Sequence, residues 1–135
     1  MDPLIRLQQA GVSRLTIDSR RVAADTAFVA LPPATQGSRD GRDFAVNAIA
    51  AGSPLVLGEG AAPAGVQIHQ WLKLETARQD YPVLAAQLAG EAGQKLRVIG
   101  VTGTDGKTSV AWLASELLNA LEPNTCARLG TLGAQ

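Results

Sequence analysis

Residues 100–109 read Gly-Val-Thr-Gly-Thr-Asp-Gly-Lys-Thr-Ser and carry the strongest chemical signal in the chain. The apolar run at residues 96–101 before them predicts a buried strand, and apolar residues at helical spacing follow, from Val110 to Leu121. Glycines let a backbone turn tightly and approach a ligand, while the N-terminus of a helix attracts anions. The pattern therefore predicts a strand, a phosphate-binding loop and a helix.

Within this loop the predicted roles follow from side-chain chemistry. Lys107 is the candidate catalytic residue, because its ammonium group would neutralise the β- and γ-phosphates of a nucleotide, and the Thr108 hydroxyl would bind a nucleotide-bound Mg²⁺ ion. The common phosphate-loop pattern has a glycine where this chain has Val101. An ordinary tight turn between strand and helix is the alternative. The predicted nucleotide-binding residues are Gly103, Thr104, Asp105, Gly106, Lys107, Thr108 and Ser109.

Composition limits the classes of protein that fit. The chain has 135 residues, 46% hydrophobic and 18% charged, which is typical of a folded globular protein. Lys plus Arg and Asp plus Glu both number 12, so the net charge is zero and a nucleic-acid partner is not expected. One cysteine, Cys126, and one histidine, His69, exclude an intrachain disulfide and a Cys/His zinc site. No signal-peptide or membrane-spanning pattern is present, so we expect a cytoplasmic protein without a membrane partner.

Strands alternate with helices along the chain, which predicts an α/β fold class. We expect a small α/β domain at residues 1–95 and, at 96–135, the truncated start of a second domain built as strand, phosphate loop, helix and strand. A single unit of this kind cannot cover its own sheet, so the second domain should be incomplete. The predicted helices cover residues 4–10, 44–52, 81–88 and 107–121, the predicted strands 15–17, 27–31, 54–57, 66–69, 96–101 and 126–129, and a loop 34–42.

The phosphate loop resembles that of the Mur ligases and their folylpolyglutamate synthetase relatives, usually Gly-Thr-Asn-Gly-Lys-Thr, which also lacks the early glycine. The chain departs from that form at Asp105. The first region resembles the amino-terminal, UDP-binding domain of these ligases at Asp18-Ser19-Arg20, at residues 28–31 and at residues 40–44. Residues 130–133, Gly-Thr-Leu-Gly, resemble the family member that adds the third peptide residue.

The resemblance implies a concrete reaction. ATP, with Mg²⁺, phosphorylates the D-glutamate carboxylate of UDP-N-acetylmuramoyl-L-alanyl-D-glutamate, and the amine of lysine or meso-diaminopimelate attacks the acyl phosphate. It also implies that Ile17 and Ser19 contact the UDP group and that the 34–42 loop lies against the uracil. The partners would all be small molecules. Family chains are several times longer, so we expect a front piece of the enzyme that is inactive alone, with its oligomeric state open.

Several alternatives remain at this stage. Ser19 also fits a role as a turn cap, since Asp-Ser is common turn chemistry. Three other identities compete with this one: another Mur ligase, a folylpolyglutamate synthetase relative, and a nucleotide-sugar-binding module without turnover. His69 is expected at the surface and Cys126 in the core. Trp71 and Trp112 are expected to pack rather than to stack on bases.

Overall fold

The computed structural model describes residues 2–130 and 133–134, and the chain divides into two compact units, residues 1–96 and 97–135. Which ligand each unit binds stays a prediction. The first unit contains helices α1 (Pro3–Gln9), α2 (Ala45–Ala50) and α3 (Ala77–Leu88) and strands β1 (Arg14–Thr16), β2 (Thr26–Ala30), β3 (Val56–Glu59) and β4 (Trp71–Leu74). The second contains α4 (Lys107–Leu121) and strands β5 (Leu129–Gly130) and β6 (Gly133–Ala134).

The first unit is built on one parallel sheet with the strand order β1-β2-β3-β4. All five residues of β2 are buried, which is typical of a central parallel strand covered on both faces. In register, Phe28 pairs with both Thr16 and Val56. Because the strands are parallel, their carboxyl ends lie at the same edge of the sheet.

Two hydrophobic cores cover the two faces of this sheet, because side chains alternate along each strand. Ala27, Val29 and Leu57 belong to the core that includes Leu7 of α1 and Leu84 of α3. The opposite core is formed by Phe28, Ala30, Val56 and Val66 with Ala45 and Ala48 of α2. The unit is therefore a three-layer α/β structure, which confirms the predicted fold class.

Two elements in the first unit have boundaries that differ from the prediction by more than two residues. The strand predicted at 66–69 is wrong: Ile68–Gln70 is a 3₁₀ turn, and the strand is Trp71–Leu74. The Trp71 ring packs over Gly58, where a Cβ would lie only 2.5 Å from the ring. This contact between β3 and the Trp71 side chain favours a strand that begins at Trp71 rather than at Val66. Helix α3 begins at Ala77, earlier than predicted, because the Glu59 carboxylate accepts a hydrogen bond from the Ala77 N–H at 2.8 Å.

The second unit forms the predicted helix but not the predicted strands. Residues 97–102 have no regular secondary structure, and Val98 and Ile99 are 82% and 71% exposed. A buried strand needs neighbours for its backbone hydrogen bonds, and no strand in residues 2–130 or 133–134 pairs with this segment.

The strand predicted at 126–129 is also wrong, since β5 begins only at Leu129 and pairs antiparallel with β6. The Asn119 side chain bonds both the N–H and the C=O of Cys126, at 3.0 and 2.9 Å, and so occupies the groups that a strand would use. Cys126 is half-buried rather than buried. Of the predicted Gly-Thr-Leu-Gly segment, Thr131 and Leu132 lie outside the described residues.

No helix in the described part of the chain is long and apolar enough to cross a membrane.

Candidate functional site

A cavity of about 990 Å³ opens beside the carboxyl ends of β1 and β2 in the first unit. Ligands of open parallel α/β sheets commonly bind at this edge, where the loops that follow the strands converge. Ile17 and Ser19, the predicted UDP contacts, both line the cavity. The other lining residues are Asp18, Arg20, Phe28, Val29, Leu31, Pro32, Ala34, Ser38, Arg39, Gly41, Phe44, Asn47, Ala51 and Arg78.

One wall of the cavity is the turn that follows β1. The Asp18 carboxylate accepts a hydrogen bond from the Arg20 N–H at 3.1 Å and a bidentate pair from the Arg20 guanidinium, each bond 2.9 Å. These bonds from Arg20 lower the pKa of Asp18 to about 2. Asp18 is therefore the residue that caps the 3₁₀ turn Ser19–Arg21, while Ser19 is half-buried on the cavity wall and Ile17 is 54% exposed.

Another part of the lining comes from the loop at residues 32–40, whose two ends are held together. The Gly41 N–H donates to the Leu31 carbonyl at 2.9 Å, and a Cβ on Gly41 would lie 2.6 Å from the Leu31 nitrogen. Only glycine permits this approach between the two ends. Inside the loop, the Ser38 hydroxyl donates to the Thr35 carbonyl at 2.7 Å and closes a local turn.

The cavity lining carries more positive than negative charge. Arg20, Arg39 and Arg78 line it together with one carboxylate, Asp18, so the lining has an excess of two positive charges (three minus one). Guanidinium groups suit phosphate oxygens, to which they can donate two parallel hydrogen bonds. The cavity can therefore accommodate an anionic ligand.

Arg78 is a cavity residue that sequence reasoning missed, whereas Arg39 lies in the loop at 34–42 that was predicted to face the uracil. Arg39 lies over the Phe44 ring, 6.0 Å from its centroid, and Arg78 donates from Nη2 to the Pro32 carbonyl at 2.6 Å. No local signal could have placed Arg78 here, because the bond joins residues 46 positions apart. By contrast, Arg42 faces elsewhere: it donates to the Ala61 carbonyl and lies over Trp71, which packs as predicted.

The predicted phosphate loop forms a tight, exposed turn in the second unit. Gly103 and Gly106 have φ angles of 149° and 74°, which favour glycine, and residues 102–110 are exposed. Helix α4 begins at Lys107 with Gly106 as its N-cap, so no side chain caps its first turn. The Lys107 ammonium donates to the carbonyls of Gly103 and, at 2.9 Å, Thr104.

These residues fit a nucleotide phosphate chain. Exposed amide N–H groups at the start of a helix and a lysine beside them are the donors that phosphate oxygens require. For a metal ion the donors are fewer. No group of three or more His, Cys, Asp or Glu side chains that could hold a metal occurs among residues 2–130 and 133–134. A single hydroxyl, that of Thr108, is suited to an ion that is already coordinated by the nucleotide. Thr108 and Ser109 also line a smaller cavity of about 390 Å³ with Trp112, Leu113 and Arg128.

Comparison with known proteins identifies the family of this chain, whose first unit is a three-layer α/β structure. No family model matches the chain. It is 37% identical over 93% of its length to a UDP-N-acetylmuramoyl-L-alanyl-D-glutamate–2,6-diaminopimelate ligase of Solibacter usitatus. It is 40% identical over 90% of its length to the ligase of that name from Xanthomonas campestris, and 40% identical over 81% to a UDP-N-acetylmuramyl-tripeptide synthetase of Deinococcus radiodurans.

The chain belongs to the Mur ligase family. It spans about a quarter of the length of the curated relatives it matches, 24%, 24% and 22% of the three proteins above. The predicted family is thereby confirmed.

Proposed function

We propose that this chain is part of an ATP-dependent ligase that joins diaminopimelate to UDP-N-acetylmuramoyl-L-alanyl-D-glutamate. The observation that carries the proposal is the similarity, over nearly the whole chain, to ligases with this name. The same names favour diaminopimelate over lysine as the added amino acid.

In the first unit, the cavity beside β1 and β2 receives the UDP group of the substrate. Ser19 and Ile17 supply a hydroxyl and an apolar contact from the turn that Asp18 and Arg20 hold rigid. The positive excess of the lining supports a diphosphate, and the loop at residues 32–40 supplies the wall for the base.

In the second unit, the exposed loop binds ATP through the amides of residues 103–109. Lys107 neutralises the terminal phosphates, after its ammonium exchanges the carbonyls of Gly103 and Thr104 for phosphate oxygens. The Thr108 hydroxyl would hold the nucleotide-bound Mg²⁺, which balances charge on the phosphates when bound. In phosphoryl transfer most of the catalytic effect comes from positioning the phosphate and balancing its charge. The loop amides, Lys107 and Thr108 supply these two functions. The substrate carboxylate attacks the terminal phosphorus of ATP and releases ADP, which leaves an acyl phosphate. The amine of diaminopimelate then attacks the acyl carbon and loses a proton, and phosphate leaves as the amide bond forms.

The experiment is a titration of the chain with MgATP, followed through the amide NMR signals of Gly103 and Gly106. We expect saturable shifts in the wild type and, for Lys107→Ala, about 10-fold to 100-fold weaker binding, the range for a hydrogen bond to a charged group. Lys95→Ala is the matched control, since Lys95 lies in an exposed 3₁₀ turn outside the loop. In the complete enzyme, Lys107→Ala should abolish ATP-dependent ligation. Equal MgATP affinity in Lys107→Ala and wild type would reject the assigned role.

A further inference from the structure

Arg78 connects two segments that are far apart in the chain and that both border the cavity. It is the second residue of α3, and its Nη2 donates to the Pro32 carbonyl at 2.6 Å. Pro32 is the first residue after Leu31 in the loop at residues 32–40. The bond therefore ties the start of this loop to the start of helix α3, and both residues line the cavity.

The backbone at Arg78 is itself fixed. The preceding residue, Ala77, is fully buried, and its N–H donates to Glu59 at 2.8 Å. At the next turn, the Asp80 carboxylate accepts a hydrogen bond from the Thr76 N–H at 3.0 Å. Arg78 thus projects from a rigid helix start and can hold a flexible partner in place.

The loop needs such an anchor because residues 33–39 are all exposed. Its ends are joined at Leu31 and Gly41, and its interior turn is closed locally by Ser38. Neither contact fixes the loop relative to the cavity. Arg78 does, from the α3 side, and Arg39 does from the other side through its contact with Phe44.

We propose that Arg78 is a positioning residue that holds the loop at residues 32–40 over the cavity in the arrangement that binds a uridine nucleotide. This inference rests on the proposed function for the identity of the ligand. Ordering a loop before binding removes an entropic cost from the binding step, so loss of the anchor weakens binding without changing the sheet.

The test compares Arg78→Ala, Arg78→Lys and wild-type chains by calorimetric titration with UDP and by hydrogen exchange without ligand. We expect Arg78→Ala to bind UDP about 10-fold more weakly, near the lower end for loss of a charged donor at an exposed site. Faster exchange should be confined to the hydrogen-bonded loop amides, those of Thr35 and Ser38. Arg78→Lys, which retains one charged donor, should recover part of the affinity.

The matched control is Arg6→Ala, because Arg6 also donates to a distant backbone carbonyl, that of His69 at 2.7 Å, but does not line the cavity. Its UDP affinity should equal that of the wild type. Arg78→Ala binding UDP within twofold of wild type, or exchange that rises across β2 and β3 as well, would overturn the inference. A wild-type chain that does not bind UDP at millimolar concentration would instead overturn the uridine-binding role. In that case the hydrogen-exchange comparison of Arg78→Ala with the wild type would by itself decide whether Arg78 anchors the loop.

Discussion

Replacement of Gly41 by alanine should destabilise the first unit, because the added methyl group meets backbone rather than flexible side chains. The new Cβ would lie 2.6 Å and 2.7 Å from the Leu31 nitrogen and oxygen and 2.9 Å from the Ala30 carbonyl carbon. Relief requires movement of the end of β2, where Ala30 is buried. Overpacking of this kind costs about 1–3 kcal/mol, and the smaller conformational entropy of unfolded alanine offsets about 0.4–1 kcal/mol. We expect a net loss of about 1.5 kcal/mol.

The assay is urea unfolding followed by the fluorescence of Trp71, with Trp112→Phe in every variant so that only the first unit reports. For a slope of about 1.5 kcal/mol/M, the midpoint of Gly41→Ala should fall by about 1 M. Gly93→Ala is the control, because its Cβ meets nothing within 4 Å and its φ is not positive. We expect that variant to match or slightly exceed the wild type. If Gly41→Ala unfolded at the same urea concentration as Gly93→Ala, the argument from close approach would be refuted.

Two further variants test the packing and electrostatics of the sheet. The pKa of Asp25 is lowered to about 2, chiefly by a hydrogen bond from Arg14, so its stabilising effect is complete above its ordinary pKa near 3.8 and is lost as pH falls toward 2. Asp25→Asn should therefore melt below the wild type at pH 7, with the difference closing between pH 4 and pH 2, and a pH-independent difference in melting temperature would contradict this. Ser53 is 3% exposed and its hydroxyl accepts the Phe28 N–H at 3.0 Å, while that N–H also donates to the Leu55 carbonyl at 3.2 Å. Ser53→Ala should therefore lower the free energy of unfolding by about 0.5–1.5 kcal/mol, the net value of a hydrogen bond. The exposed Ser38→Ala should have little effect on that free energy, and equal losses in the two variants would contradict the assignment to burial.

The elements that the sequence predicted correctly are those decided by local pattern. The continuous apolar run at residues 27–31 predicted β2, which lies one residue earlier in the sequence. The prediction worked because a strand that is buried on both faces has no alternation of polar and apolar residues. The helix after the glycine loop follows its apolar spacing. The predicted boundaries were wrong where contacts between distant residues determine them. The start of β4 depends on the packing of Trp71 on Gly58, and the start of α3 depends on the hydrogen bond from the Ala77 N–H to Glu59.

The candidate site shows the same division. The segment at Asp18-Ser19-Arg20 and the loop near residue 40 could be singled out from their residues, and both line the cavity. Arg78 could not, because its contribution depends on the parallel sheet placing β4 and the following helix near the end of β2. The prediction of a strand at 96–101 was wrong for a different reason. An apolar sequence pattern indicates only that the side chains prefer burial, whereas a strand forms only if a neighbouring strand is available for pairing.

The closure between Leu31 and Gly41 makes residues 32–40 a replaceable module of the fold. Since both ends are joined by the backbone itself, the segment between them can change in length and composition without moving β2 or α2. The entropy of closing a flexible loop grows only by about 0.6 kcal/mol for each doubling of length. If this loop faces the base as proposed, grafting segments of other lengths between these two residues should alter which nucleotide binds while the scaffold beneath stays intact.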